Sequence, residues 1–150
     1  MTPTARTLRF EVPGVPVAQP RPRATVRGGH ATVYGAPSKH PVNVFKAAVQ
    51  LAASNAGAVP TYRPCAMTVT FWFPRPKSMT WKKRDMPAMP CVKKPDCDNL
   101  IKSVCDALNS IAYVDDSQVF RVVIEKWICA GGESPRCEVE IEYGDASCPT

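Results

Sequence analysis

The sequence predicts a single domain of the mixed α/β class, with one mixed sheet and two main helices. A chain of 150 residues is the size of one ordinary domain, with enough apolar side chains for one core but not for two. Several segments alternate apolar and polar residues, as half-buried strands do, and two others place apolar residues at helical spacing. One domain spanning residues 1–150 is therefore expected.

The first half of the chain supplies three strands, a basic arm and a helix. Residues 7–12 alternate and predict a strand. Repeated prolines exclude regular pairing over residues 13–23, which are predicted to be an extended basic arm facing the partner. A short strand is expected at 31–34 and a helix at 42–56. Residues 65–73, rich in β-branched and aromatic side chains, predict a central strand.

The second half begins with a proline-rich segment, 75–95, that has no apolar period and is predicted to be a mobile basic loop. Residues 96–111 place an aspartate at an N-cap position before a core-facing apolar stripe, which predicts the second helix. Two further strands are expected at 119–128 and 137–143, paired as an antiparallel hairpin around a Gly-Gly turn. Residues 145–150 have no pattern and are predicted to be a frayed tail.

Charge and cysteine content narrow the functional class. The formal net charge is +6 with a pI near 9.0, and residues 75–94 carry seven basic side chains against one acidic. This basic field favours a polyanionic partner such as nucleic acid. Seven cysteines lack the spacing of a zinc site. With no apolar leader or membrane-spanning run, we expect a cytoplasmic protein with reduced thiols and no membrane partner.

Five aspartates fall between positions 96 and 116 of this basic chain: Asp96, Asp98, Asp106, Asp115 and Asp116. The first two lie at the predicted helix start, where exposed amides and the helix dipole favour negative charge. Neighbouring carboxylates suit Mg²⁺ or Mn²⁺, which lower the pKa of bound water and neutralise charge on a phosphoryl group. The cluster therefore predicts metal-dependent phosphodiester hydrolysis. No Walker-type loop is present, so no nucleotide cofactor is expected.

The same residues have structural alternatives, and local pattern leaves both interpretations open. Asp96 could serve only as a helix cap, Asp98 could pair with Lys102 one turn later, and Asp115-Asp116 could be an ordinary turn. A helix over 96–111 would be about 24 Å long. Asp116 therefore reaches the helix start only if the tertiary fold returns it there.

The acidic segment also resembles a known family. It carries KPDCDNL at 94–100, Lys102, DALN at 106–109 and DDSQV at 115–119. This pattern is similar to that of the RusA family of Holliday-junction resolvases. With the QPRPR arm at 19–23, the resemblance extends over most of the chain.

The resemblance implies a homodimer that cleaves four-way DNA junctions with Mg²⁺, for which Mn²⁺ can substitute, in DNA recombination and repair. By position, Asp96, Asp98 and Asp116 would be the metal-binding catalytic carboxylates, and Lys102 the essential basic residue. Three residues would support them: Asn99, Asp106 and Asp115. DNA phosphates would be held by five basic residues, Arg21, Arg23, Arg75, Lys93 and Lys94.

Two alternatives to a junction resolvase remain. One is a basic DNA-binding protein without catalysis, in which the acidic cluster is structural. The other is a nuclease of the same chemistry that acts on branched DNA in general. In either case the expected setting is the cytoplasm of a bacterium or of a phage-infected host.

Overall fold

The computed structural model describes residues 6–21, 23–34 and 39–145. Their elements are β1 (Thr7–Pro13), β2 (Arg23–Arg27), β3 (His30–Tyr34), α1 (Pro41–Asn55), β4 (Cys65–Phe73), β5 (Met89–Pro90), α2 (Cys97–Leu108), β6 (Val119–Ile128) and β7 (Arg136–Tyr143). Single 3-10 turns occur at Lys77–Met79 and Asp116–Gln118. The prediction of a mixed sheet with two helices is confirmed. The predicted tail lies outside the described residues except for Asp145.

The main sheet has the strand order β1-β7-β4-β6-β5, in which β4 is parallel to β6 and antiparallel to β7. The predicted hairpin of β6 with β7 is therefore wrong, because β4 lies between them. β4 is the central strand, so its backbone groups are paired along both edges, with β7 on one side and β6 on the other. The chain after β6 crosses the end of β4, where the Cys129 amide donates to the Phe73 carbonyl at 2.9 Å.

One face of the sheet holds the core. Met67 and Phe71 of β4 pack with Val49 of α1 and with Leu100 and Val104 of α2, all nearly fully buried. Helical spacing thus places the apolar stripe of each helix on the sheet. The opposite face is polar, and a shallow groove on it is lined by Arg9, Phe10, Glu11, Thr68, Thr70, Glu138, Val139 and Glu140.

Two boundaries differ from the prediction. The second helix ends at Leu108 and not near residue 111, because Ser110 adopts a positive φ of 64° that the helix cannot continue through. The basic arm also ends earlier than its arginines suggest. Arg23–Arg27 is a strand paired with His30–Tyr34, since Gly28 and Gly29 both adopt the positive φ that a tight hairpin turn requires.

No helix in the described part of the chain is long and apolar enough to cross a membrane.

Candidate active site

At the start of α2, neither aspartate takes the structural role open to it. Asp96 occupies the N-cap position, but its side chain accepts no cap hydrogen bond. Asp98 lies exposed in the first turn. Among the residues described, no ion pair joins Asp96, Asp98 or Lys102 to another side chain. Capping and an i,i+4 salt bridge therefore do not explain these two carboxylates.

The turn that follows α2 uses its two aspartates differently. The Asp115 carboxylate accepts from the amide and the hydroxyl of Ser117, and these bonds lower the pKa of Asp115. With Gln118 it forms a capping box. The side chain of Asp116 makes no such bond in the described structure. These two adjacent residues therefore differ in their side-chain contacts.

Gln118 fixes this turn through all of its hydrogen-bonding groups. Its Oε1 accepts from the amides of Val114 at 3.0 Å and Asp115 at 2.9 Å. Its Nε2 donates to the carbonyls of Thr61 at 2.7 Å and Arg63 at 2.9 Å. The turn is thus tied to the segment that precedes β4. Gln118 belongs to the motif that carries the family resemblance, but the sequence alone gave it no role.

Asp116 returns to the second half of α2. The pKa of the Cys105 thiol is raised to about 11, mainly by burial; the charges of Asp116 and Asp106 contribute to the increase, whereas a hydrogen bond with Tyr113 and the charge of Lys102 oppose it. The pKa of the buried Tyr113 hydroxyl is raised by burial and also by Asp116. That hydroxyl donates to the Cys105 carbonyl at 2.7 Å. The 3-10 turn that begins at Asp116 lies in contact with α2, so the chain reverses direction after the helix.

Helix geometry relates this point to the helix start. Asp98, Lys102 and Cys105 lie on one face of α2, because they are spaced four and then three residues apart, each close to one turn of an α-helix. Cys105 lies about 10 Å along the axis from Asp98. Lys102 therefore lies between Asp98 and the part of the helix that Asp116 approaches. Within the described residues no three acidic, cysteine or histidine side chains cluster closely enough to hold a metal ion.

A cleft of about 550 Å³ opens at the helix start, lined by Arg21, Lys94, Pro95, Asp96 and Asn99. The N-terminal arm reaches it by docking along α2. The Gln19 amide donates to the Asn99 carbonyl at 2.9 Å.

The buried Ser103 hydroxyl, on the next turn of α2, lies 2.9 Å from the Val17 carbonyl. Two such contacts hold residues 17–19 against the helix. Arg21 and Lys94, two of the predicted phosphate-binding residues, thus lie beside a predicted metal ligand.

The segment before α2 is held from β6. Lys126 Nζ donates to the Lys93 and Pro95 carbonyls, both at 2.6 Å. The Lys126 carbonyl accepts from the Cys91 amide at 2.9 Å. The peptide bond between Lys94 and Pro95 is cis. Sequence reasoning missed Lys126, because nothing local to β6 indicates a contact with residues more than thirty positions earlier.

Other predicted site residues are engaged elsewhere or lie beyond what the structure describes. Asp106 forms an ion pair of 3.9 Å with Lys46 of α1, so it links the two helices. Arg23 belongs to β2, but its side chain lies outside the described residues. Lys93 is exposed next to the cleft residues. The predicted roles of Asp106, Arg23 and Lys93 stay predictions.

Arg75 organises the first part of the basic loop. Its Nη1 donates to the Pro87 carbonyl at 2.9 Å, and its Nε donates to the Met79 carbonyl. Its guanidinium also lies 5.0 Å from the centre of the Trp81 ring, and that of Arg84 lies 4.3 Å from it. These contacts favour a structural role for Arg75, and its contact with DNA stays a prediction, as does the mobility of the loop.

Comparison with known proteins gives the family. The profile of the endodeoxyribonuclease RusA matches residues 13–142, which include both helices and the main sheet apart from most of β1 and the last residue of β7. The chain belongs to the RusA family. The chain is also similar to the uncharacterized protein YqaN of Bacillus subtilis (strain 168). The two are 38% identical over 141 residues, which cover 89% of this chain and 94% of the Bacillus protein.

RusA membership turns the motif resemblance into an assignment. The chain is an endodeoxyribonuclease of a family that acts on Holliday junctions. The matched range contains the cleft, the unpaired aspartates of α2 and the turn at Asp116. The family match does not by itself assign a role to any of these residues.

Proposed function

We propose that this RusA-family nuclease resolves four-way DNA junctions by Mg²⁺-dependent hydrolysis, with Asp96, Asp98 and Asp116 as the metal-binding carboxylates. One observation carries the proposal. Of the five clustered aspartates, Asp106 and Asp115 have partners that explain them structurally, whereas the other three carboxylates form no side-chain hydrogen bond or ion pair with any residue that the structure describes. Unpaired charges of one sign repel each other, so the presence of these three carboxylates fits a site that binds a cation.

The donor set suits the metal. Carboxylate oxygens are the ligands that Mg²⁺ and Mn²⁺ prefer, and a bound ion would supply a nucleophilic water and neutralise charge on the scissile phosphate. Asp96 and Asp98 lie at the start of α2. Lys102, on the same face as Asp98, would contact the phosphate as negative charge develops on it. A bound cation would neutralise part of the negative charge of these carboxylates.

Basic residues around the cleft would bind the DNA backbone. Arg21 and Lys94 line the cleft with Asp96, and Lys93 is exposed beside it. Their contacts with phosphate would be salt-dependent and largely independent of sequence. The cleft would therefore select the branched geometry of the substrate, as expected for an enzyme that acts in recombination and repair in the bacterial or phage-infected cytoplasm.

Two symmetric nicks in a junction of approximate two-fold symmetry call for a C2 pair of active sites, so we propose a homodimer. Two surfaces with exposed apolar side chains are available for it. In the described chain β5 covers only the end of β6, which leaves the edge near Phe120 open, and Leu51 lies exposed on α1. Light scattering of Phe120→Asp and Leu51→Asp will show which surface, if either, is needed for a dimer.

The decisive experiment is cleavage of a synthetic four-way junction by purified protein with Mg²⁺, Mn²⁺ or excess chelator. Paired nicks that require the metal are expected. Binding of the junction without cleavage in either metal would favour a non-catalytic DNA-binding protein. Comparable rates on a fork or a flap would indicate a broader branched-DNA nuclease, whereas a linear duplex should be cut poorly in every case.

A further inference from the structure

Lys126 lies close to the C-terminal end of β6, on the face of the sheet that the helices cover, because its register partner on β4 is the buried Phe71. Its ammonium group is directed at backbone and not at a carboxylate. Nζ lies 2.6 Å from the Lys93 carbonyl oxygen and 2.6 Å from that of Pro95. Among the described residues it has no ion-pair partner.

The Lys93 and Pro95 carbonyls lie on either side of Lys94, and the Pro95 carbonyl directly precedes Asp96. The ammonium group therefore holds the backbone next to two residues that line the cleft, Lys94 and Asp96. The Lys126 carbonyl also accepts from the Cys91 amide at 2.9 Å. One residue of β6 thus holds the chain from 91 to 95 at three points. Regular sheet pairing adds only Met89 and Pro90, so residues 93–95 depend on this side chain.

We infer that Lys126 is a positioning residue of the nuclease: it fixes the backbone from Lys93 to Pro95 and thereby orients Asp96 toward the metal and Lys94 toward the phosphate. Backbone held by a charge-assisted bond is held more firmly than by a neutral one. The inference rests on the proposed metal-dependent function of Asp96.

The test compares three variants with the wild type. Lys126→Met keeps the length of the side chain and removes both hydrogen bonds, whereas Lys126→Arg keeps a cationic donor. Arg121→Met is the matched control, since it removes one positive charge from an exposed position of the same strand. Lys126→Gln, shorter and uncharged, replaces Lys126→Met if the latter does not fold.

Three measurements are made on each protein: Mn²⁺ affinity by calorimetry without DNA, junction cleavage across a Mg²⁺ titration, and hydrogen exchange of the amides at 91–98. Lys126→Met should bind Mn²⁺ about tenfold more weakly, as loss of a residue that orients a metal ligand typically does. It should need more Mg²⁺ for the same rate and exchange faster at 91–98. Lys126→Arg should recover most of the affinity, and Arg121→Met should match the wild type.

The inference is overturned if Lys126→Met retains wild-type Mn²⁺ affinity and exchange, or if only its thermal stability changes. Failure of the proposed function gives a different result. In that case the wild type itself neither binds Mn²⁺ nor cuts the junction, and the exchange comparison alone decides whether Lys126 holds the segment. Unchanged exchange in Lys126→Met would then reject its positioning role as well.

Discussion

The start of α2 and the turn after it each carry two aspartates, but the side chains of these aspartates have different roles in the two regions. In the turn, the side chain of Asp115 accepts hydrogen bonds from Ser117, whereas that of Asp116 has no partner among the described residues. At the helix start, neither Asp96 nor Asp98 has such a partner. Each region is held instead by a polar side chain from outside the pair, the turn by Gln118 and the helix start by Lys126. An aspartate at a cap position is thus not necessarily a cap.

The difference has a physical consequence. An aspartate that accepts hydrogen bonds stabilises the fold and can be tested through stability. An aspartate with no hydrogen-bond or ion-pair partner contributes little to stability and is repelled by neighbouring carboxylates, so its loss should change stability little while activity falls. This opposite dependence separates functional from structural carboxylates.

The largest effect is expected for Asp96→Asn, Asp98→Asn and Asp116→Asn. Each removes a proposed metal ligand, and metal stabilisation of several kcal/mol corresponds to a loss on the order of 10³-fold in single-turnover cleavage. Junction binding in a gel-shift assay should be equal or tighter, because repulsion of phosphate decreases. Melting temperatures should not fall. A variant that loses both folding and cleavage would place its aspartate with Asp115 as a structural residue.

Gln118→Leu should have the next largest effect, on both stability and cleavage. It leaves four backbone groups without their partner, which costs about 1–3 kcal/mol of unfolding free energy when such groups are buried, and it releases the turn that carries Asp116. Urea denaturation and cleavage rates check the two parts. Gln50→Leu, on an exposed position of α1, is the control and should change neither. Stability lost without any change in rate would mean that the turn need not be fixed for activity.

Asp115→Ala should lower the melting temperature at neutral pH, because the capping box is lost. The pKa of Asp115 is lowered in the folded protein by its bonds to Ser117, so its contribution is present above the ordinary aspartate pKa and is lost as the pH falls through the lowered value. The difference in melting temperature from the wild type should therefore shrink below about pH 4. Asp116→Ala, its neighbour, should show no such destabilisation at any pH.

Asp106→Asn should have the smallest effect. Its ion pair with Lys46 spans 3.9 Å between partly exposed side chains, which is worth less than about 1 kcal/mol. Lys46→Met should cost a similar amount, and cleavage should change little in both. If Asp106→Asn alone abolishes cleavage, Asp106 acts on the metal or its water and belongs with the three proposed ligands.

The sequence predicted those features that depend on periodicity. Apolar spacing located both helices and the strands of the core, and the motif located the acidic cluster. It did not place β4 between β6 and β7, because strand order depends on which distant strands pair with the two edges of β4 and not on a local pattern. Nor did it find Lys126 or the role of Gln118, because both depend on contacts with segments more than thirty residues away along the chain.

The stacking of Arg75 and Arg84 over Trp81 has a consequence for how the protein meets its substrate. Because two guanidinium groups already stack on the Trp81 ring, we expect Trp81 not to stack on an unpaired base. Arginines that are ordered in advance also lose less rotational freedom when they bind. Discrimination by this loop should accordingly depend on the path of the sugar-phosphate chain and be insensitive to base identity.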